Sequence, residues 1–444
     1  MSNDPPGSSG EQAVMHPNEV TIINYTAPEL NHLAAGADEA RLLTHYVRPY
    51  ANLERGWERV LSALPGASTL YGRTFGRRRM PQGLRRDHLH EAAIATDLLG
   101  AFLRHFPAAK ARALVPQLHW RTQKRIAQVG AHLGADSKVI VASYLVAEPA
   151  FRCSEGIKVL NYPIAHHRFI QQFVAEEAER VPEFAETLPD WAAVPSWIEP
   201  RLDAECALAD RILVGSSFVR DSFVAEGVPE QKLVVIPYGA NVSTFCPASE
   251  SDRRTRHQFR LLFVGQMSQR KGISYLLRAY AAFHGPGTRL TLIGGLYGSE
   301  EALTPHRHLF EYIPHIPHAE LAGQYRNADV FVFPTLIEGM PLVVLEAMAS
   351  GLPVITTPNG PGDIVRDGVD GFVVPIRDPD AIVEKLEYLR ANPERRREMG
   401  ASARQRALEF SWMTYRQRSI ATLRSLMDGQ SNPTIPDATA SPMS

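Results

Sequence analysis

The sequence predicts an α/β protein built from two doubly wound parallel-sheet halves joined by a linker. Three observations predict it. The chain has 444 residues and is 44% hydrophobic, long for one domain and natural for two of roughly 200 residues each. Short apolar strands alternate with helix-length stretches, the pattern of strand–helix–strand units in a parallel sheet. A polar run, Pro247 to Arg254, interrupts that alternation and reads as a linker.

Taken in order, residues 1–17 are polar and rich in Gly, Ser and Pro. They predict a disordered tail and lack the apolar core of a signal peptide. The N-terminal half, 18–240, opens with a strand over 20–25. A helix-rich stretch and a charged segment over 73–90 follow. Strands over 139–142 and 158–161 enclose a helix over 148–155 that Gly156 ends. Residues 168–210 read as mostly helical, with breaks near Pro189 and Pro195. Strands over 211–214 and 233–236 flank a helix over 217–226. After the linker, 241–258, the C-terminal half spans 259–415. Its strands fall at 259–264, 289–293, 330–333, 353–356 and 372–374, with helices near 273–284, 318–327, 341–350 and 380–391. A last helix, 416–428, is placed to return to the N-terminal half, and 429–444 read as a second disordered tail.

Composition excludes several classes. A formal net charge of -1 gives no general attraction to nucleic acid. Cys153, Cys206 and Cys246 are too widely spaced to suggest a disulfide framework or a zinc site, which fits a reducing cytoplasm. No run approaches the roughly 18 consecutive apolar residues that span a bilayer. The expectation is a cytoplasmic protein, at most peripheral at the inner face of a membrane.

The most informative stretch is Pro334 to Val354. Glu338 falls in the loop after the strand at 330–333, and Glu346 eight residues later, inside a helix. A strand, a short loop and a helix N-terminus present backbone N–H groups and a positive dipole to an anion. Ligands of open parallel sheets bind at the carboxyl ends of the strands. A carboxylate a turn or two behind such a loop can accept hydrogen bonds from a ribose or sugar diol. The arrangement suits a phosphorylated, hydroxyl-rich ligand such as a nucleotide sugar. Gly265 to Gly272 forms a second such loop and carries the pair Arg270-Lys271. Fixed cations there would neutralise charge on a leaving phosphate, as an oxyanion hole does.

These residues resemble the donor-site pattern of glycosyltransferase family 4, retaining enzymes of the GT-B fold. Glu338, Gly339, Pro341, Glu346, Ala347, Ala349, Gly351, Pro353 and Val354 all fall in place, and Phe263 to Leu277 is similar to the family's phosphate-gripping loop. The resemblance covers about residues 139–415 and is weak before that. It implies a GT-B fold of two Rossmann-like domains with a cleft between them. It also implies a retaining transfer from a nucleoside-diphosphate sugar, with uridine favoured as the base, to an acceptor hydroxyl. The acceptor would be a saccharide, a lipid-linked molecule or a small molecule.

On this reading Lys271 and Arg270 hold the diphosphate and Gly265 lets the backbone approach it. Glu346 accepts the ribose hydroxyls. Backbone N–H groups near Gly339, Met340, Leu342 and Val343 add contacts at the helix start. Gln266 stands where many members have Arg, so Arg270 is the candidate to compensate. Glu338 and His166 are assigned as catalytic in the sense of positioning the donor sugar. His166 is placed by its likeness to the family's strand-end His, and fits that place better than His167. The resemblance implies front-side attack in which the leaving phosphate helps take the acceptor proton, with no covalent nucleophile.

No metal or cofactor is expected. Asp378-Pro-Asp380 looks like a metal-carrying Asp-x-Asp, but its position at a helix start makes capping the better account. No Gly-x-Gly-x-x-Gly follows the first strand, so a nicotinamide fingerprint is lacking. The basic run Arg73, Arg77, Arg78, Arg79, Arg85 and Arg86, interleaved with Phe75, Met80 and Leu84, would suit anionic lipid headgroups. A solvated or phosphate-facing loop in a large acceptor domain is the preferred account of it. Two other functional readings stay open: another GT-B sugar-nucleotide enzyme, an epimerase or a phosphorylase, and a non-catalytic nucleotide-sugar-binding subunit.

Overall fold

The structure is a computed structural model that describes residues 19–64, 71, 76, 78–104, 109–190, 194–248 and 258–429. The two predicted tails, Arg73, Phe75, Arg77 and part of the linker lie outside these residues.

The strands are β1 (Val20–Ile23), β2 (Leu43–Arg48), β3 (Leu89–Glu91), β4 (Val139–Ser143), β5 (Ile157–Asn161), β6 (Arg211–Val214) and β7 (Leu233–Val235) in the N-terminal half. The C-terminal half has β8 (Phe259–Val264), β9 (Thr288–Ile293), β10 (Phe310–Ile313), β11 (Val330–Phe333), β12 (Val354–Thr356) and β13 (Gly371–Val373). The helices of the first half are α1 (Pro28–Glu39), α2 (Gly56–Ala63), α3 (Ile94–Leu103), α4 (Ala109–Gly134), α5 (Glu148–Cys153), α6 (His167–Arg180), α7 (Ile198–Leu208) and α8 (Ser217–Ala225). Those of the second are α9 (Ile273–Phe283), α10 (His318–Arg326), α11 (Leu342–Ala349), α12 (Pro379–Ala391), α13 (Pro393–Leu408) and α14 (Trp412–Met427).

Among the described residues the first sheet runs β3-β2-β1-β4-β5-β6-β7 and the second β10-β9-β8-β11-β12-β13, with every pairing parallel. In each sheet the chain winds one way from its first strand and then crosses to the other side. The order therefore reverses between β1 and β4 and between β8 and β11. Helices on the two sides of such a sheet leave a crevice at the carboxyl ends of the reversing strands, where ligands of doubly wound folds bind.

The central strands are the apolar ones. Every residue of β1, β4 and β11 is buried, as strands covered on both faces require. Phe333 stacks between Phe263 at 5.6 Å and Phe331 at 6.0 Å, joining β8 to β11 directly under the second crevice. Strands β2, β3 and β10 are absent from the sequence reading. They lie at the outer ends of the two sheets. Strands β2 and β10 mix buried apolar residues (Leu43, Tyr46, Val47 and Phe310) with part-buried or exposed polar ones such as Thr44, His45 and Glu311, and β3 is part-buried throughout.

The last helix, α14, leaves the second sheet and packs on α1 of the first half. His32 stacks on Trp412 at 3.8 Å and Arg416 pairs with Glu39 at 2.6 Å. No helix of the described residues is long and apolar enough to cross a membrane.

Candidate functional site

Glu338 and the two cations meet at the β8/β11 crevice. The loop after β8 turns through Gln269–Lys271 into α9, and Gly272 makes the turn with φ at 70°. A side chain there is excluded twice. The left-handed backbone favours glycine, and a Cβ would lie 1.9 Å from the Pro334 carbonyl oxygen. The two crevice loops are thus in direct contact. The Arg270 carbonyl accepts the Leu336 N–H at 2.9 Å, which fastens them further.

On that scaffold Glu338 Oε1 accepts Arg270 Nη1 at 2.8 Å and also accepts Lys271 Nζ. Arg270 Nη1 also reaches the Ile337 carbonyl at 2.7 Å, and the Lys271 ammonium sits 5.0 Å over the Phe333 ring. Burial works to raise the Glu338 carboxyl, but the Arg270 and Lys271 charges and their hydrogen bonds outweigh it and hold it below the ordinary value. Burial pulls the Lys271 ammonium below its ordinary value against the attraction of Glu338. Two guanidinium and ammonium cations share one carboxylate. The triad carries a net positive charge in a poorly solvated place, a setting that favours an incoming anion.

Gly339 is the point where this loop touches the first half. A Cβ there would lie 1.6 Å from the Pro163 carbonyl oxygen. The Gly339 carbonyl accepts Ser216 Oγ at 2.5 Å, and Met340 Sδ accepts the Tyr238 N–H at 2.8 Å. Glu346 lies in the middle of α11 and is 7% exposed. Both of its oxygens have protein partners: His318 Nε2 at 3.0 Å and the Tyr325 hydroxyl at 3.0 Å. Leu342 and Val343 form the first turn of α11, whose N-cap position is Pro341.

A cavity of about 1400 Å³ adjoins this site through Gly265, which packs on the Lys271 side chain, and through His318, the partner of Glu346. Arg270, Lys271 and Glu338 do not themselves line it. The second half contributes Gly265 and Gln266 after β8, Gly294 and Gly295 after β9, and the Pro314–His318 loop after β10. The first half contributes Asn52, Glu54, Arg59, Tyr71 and Arg79, among others. Gln266 therefore does line the cleft, and two arginines of the opposite half line it too. Sequence reasoning missed Arg59 and saw Arg79 only as part of a basic run. The other described arginines of that run are engaged within the protein. Arg78 pairs with Asp97, Arg85 Nε bonds Asp38 at 2.9 Å, and Arg86 Nη2 bonds the Leu53 carbonyl at 3.1 Å.

His166 lies on the loop of the first half that meets Gly339. It is the N-cap of α6, with Nδ1 accepting the Arg168 N–H at 3.4 Å, and its ring lies edge-on to Phe223 at 4.9 Å. Its hydrogen bonds and ring contacts among the described residues stay within the first half, and the residues of its loop that meet Gly339 are Pro163 and Ile164. Burial, with His167 and Arg168 adding to it, lowers its pKa to about 3, so the ring is neutral at pH 7. His166, His167 and Asp203 bring three possible metal-ligand atoms within 4.8 Å of one another. His167 Nε2 already bonds Asp203 Oδ1 at 3.1 Å, and Arg168 takes the other oxygen at 2.5 Å. The cluster is satisfied as an ion-paired network, and a cation entering it would meet the Arg168 guanidinium. Asp378 is the N-cap of α12, accepting the Ala381 N–H at 2.9 Å, as the sequence implies.

With this geometry in view, comparison with known proteins is informative. Residues 258–392 match the family described as "Glycosyl transferases group 1". That match lies wholly in the second half of the chain and spans β8 to the start of the linker between α12 and α13. Among curated relatives, a D-inositol 3-phosphate glycosyltransferase of Catenulispora acidiphila is 31% identical over 263 residues, 54% of this chain and 63% of that protein. A GDP-mannose-dependent alpha-(1-6)-phosphatidylinositol monomannoside mannosyltransferase of Mycolicibacterium smegmatis is 30% identical over 229 residues, 46% of this chain and 60% of that protein. The chain thus spans less than two thirds of the length of the relatives it matches.

Solved structures cover more. Sucrose-phosphate synthase from Thermosynechococcus elongatus superposes with a TM-score of 0.62 at 18% identity, over 93% of this chain and all of that one. Anabaena HepE, in complex with UDP, gives 0.60 at 15% identity over 92% of this chain and 100% of that one. The two halves together have the GT-B fold.

Proposed function

We propose that this chain is a glycosyltransferase that moves a sugar from a nucleoside-diphosphate sugar to an acceptor hydroxyl, with retention and without a metal. One observation carries the reading. Arg270 and Lys271 converge on Glu338 at the β8/β11 crevice, beside a cavity large enough for a nucleotide sugar.

The diphosphate would take up the positive charge of Arg270 and Lys271, which stabilise the charge that builds on the leaving phosphate. Glu338 would hold both cations in register and meet the donor sugar. The nucleoside would lie along Gly265, Gln266 and the Pro314–His318 loop. Glu346 would present an oxygen to the ribose and steady His318, which lines the same cavity. The acceptor would enter from the first half, where the β1/β4 crevice carries Tyr25 and Tyr144. Arg270 lies near enough to Tyr144 to act on its charge. Arg59 and Arg79 in the cavity wall offer cations where Gln266 offers none.

The resemblance favours uridine, whereas the mycobacterial relative is named as GDP-mannose-dependent, so the base is tested directly. Thermal unfolding with UDP, GDP and ADP on the wild type and Glu346→Ala is the first experiment. A nucleotide at 100 times its Kd should add about 2.7 kcal/mol to stability. One nucleotide should stabilise the wild type and lose that effect in the variant. A folded protein that responds to none of them would sink the donor-site reading. Retention is read from the anomeric configuration of the product, and metal independence from activity that survives EDTA.

A further inference from the structure

A buried carboxylate ties the two halves together next to the cation loop. Glu177 lies on α6 of the first half and is 0% exposed. The hydrogen-bond donors to its carboxylate among the described residues all come from the second half. Oε1 accepts Gln269 Nε2 at 2.7 Å and the Tyr275 hydroxyl at 2.8 Å, and Oε2 accepts Arg377 Nε at 2.7 Å.

Gln269 directly precedes Arg270 and Lys271 and is held from several sides. Its Oε1 accepts the Ser274 N–H at 3.1 Å, which orients the amide so that Nε2 faces Glu177. Its own backbone N–H donates to Thr187 Oγ1, again in the first half, at 2.9 Å. Arg377 is held with φ at 64°, in the left-handed region, and its guanidinium lies 4.5 Å over the Phe173 ring of α6. A non-glycine residue keeps such a backbone only where its surroundings enforce it.

We propose that Glu177 is a positioning residue for the donor site, setting the Gln269–Lys271 loop from the opposite half of the molecule. The proposal rests on the donor-site reading given above. Its physical basis is the cost of separation. If the halves part, the buried Gln269 and Tyr275 and the part-buried Arg377 lose one shared acceptor, and each unmade bond to a charged group is expensive. The loop that carries Arg270 and Lys271 therefore takes its present shape only while α6 is seated against it. Assembly of the phosphate site and contact between the halves become one event.

The test uses the full chain as Glu177→Gln, which keeps the volume and removes the charge, and as the milder Tyr275→Phe, which removes one donor. Amide hydrogen exchange over residues 265–272 and the Kd for the stabilising nucleotide are measured for each. Exchange in the loop should quicken, and the nucleotide Kd should rise about tenfold in Glu177→Gln, with the acceptor KM unchanged. Tyr275→Phe should show a smaller change in the same direction. Arg278→Gln is the control. It removes an exposed pair with Glu183 at 2.7 Å that also spans the halves, and it should alter neither reading. Folded Glu177→Gln protein with wild-type loop exchange and nucleotide affinity would overturn the proposal. A wild type that binds no nucleotide would instead remove the donor-site reading. Loop exchange alone would then decide whether Glu177 sets the loop.

Discussion

Lys271 sits where burial and charge pull in opposite directions. Its ammonium is paired with Glu338, shares that partner with Arg270 and lies over an aromatic ring. A cation so placed is a strong anion ligand because little water has to be displaced when the anion arrives. Replacing it with alanine leaves Glu338 with Arg270 alone. Lys271→Ala should lower kcat by roughly 100-fold, about 3 kcal/mol of transition-state stabilisation. Steady-state kinetics with the nucleotide sugar that the binding panel selects would show this, and an unchanged kcat would remove Lys271 from the mechanism. His166 gives a prediction in stability rather than rate. Its folded pKa of about 3 lies below the ordinary histidine value of 6.5, so between those values the unfolded chain binds a proton that the folded one refuses. Stability should therefore fall as pH drops from about 6.5 towards 3. His166→Asn, which can still cap α6, should flatten that part of the melting-temperature profile. A slope as steep as in the wild type would assign it to other groups.

The loop between β11 and α11 shows how far the sequence was readable. The position of β11, the glutamates after it and the helix that follows were legible because four consecutive apolar residues and a Gly-Leu-Pro-Val strand start leave little choice. The outer strands β2, β3 and β10 were not, because they mix polar with apolar residues and so resemble loops. Glu177 was also missed, since a glutamate in the amphipathic run of α6 looks solvated until the other half of the molecule is laid over it. For Gly339 the sequence showed a motif position, while the packing supplied its reason. Its hydrogen takes the place of a Cβ that would overlap the Pro163 carbonyl. Gly339→Ala must push the loop away from the first half, at a cost of about 2 kcal/mol or more. Chemical denaturation should show that loss together with weaker nucleotide binding. Full stability with full affinity would mean that the halves do not need this contact.

At the scale of the molecule, the two sheets are joined by more than the linker. Contacts at Ser216 and Gly339, Ser217 and Asp363, Glu177 and Gln269 hold the crevice side, while α14 closes the opposite connection by crossing back to α1. Tyr415, Ile420 and Leu423 of α14 are buried, and Gly36 of α1 lets Arg416 and Ile420 approach closely. The sequence reading has a last helix over 416–428 returning to the N-terminal half; here the helix begins earlier, at Trp412, and that residue is the one that stacks on His32 of α1. Each of those apolar side chains contributes about 1.5–3 kcal/mol by leaving water, so α14 acts as a second strap between the halves. A chain ending at Ser411 should lose several kcal/mol of stability and expose the buried face of α1. The β8/β11 crevice would keep its own residues, because among the described residues the side chains of Arg270, Lys271 and Glu338 hydrogen-bond to one another and to the Ile337 carbonyl, with no bond to α14 or α1. Hydrogen exchange separates the two effects: α1 should exchange faster in the shortened chain while β8 and β11 stay protected. Equal loss of protection in both sheets would mean that the halves fold as one unit and that the strap and the site are inseparable.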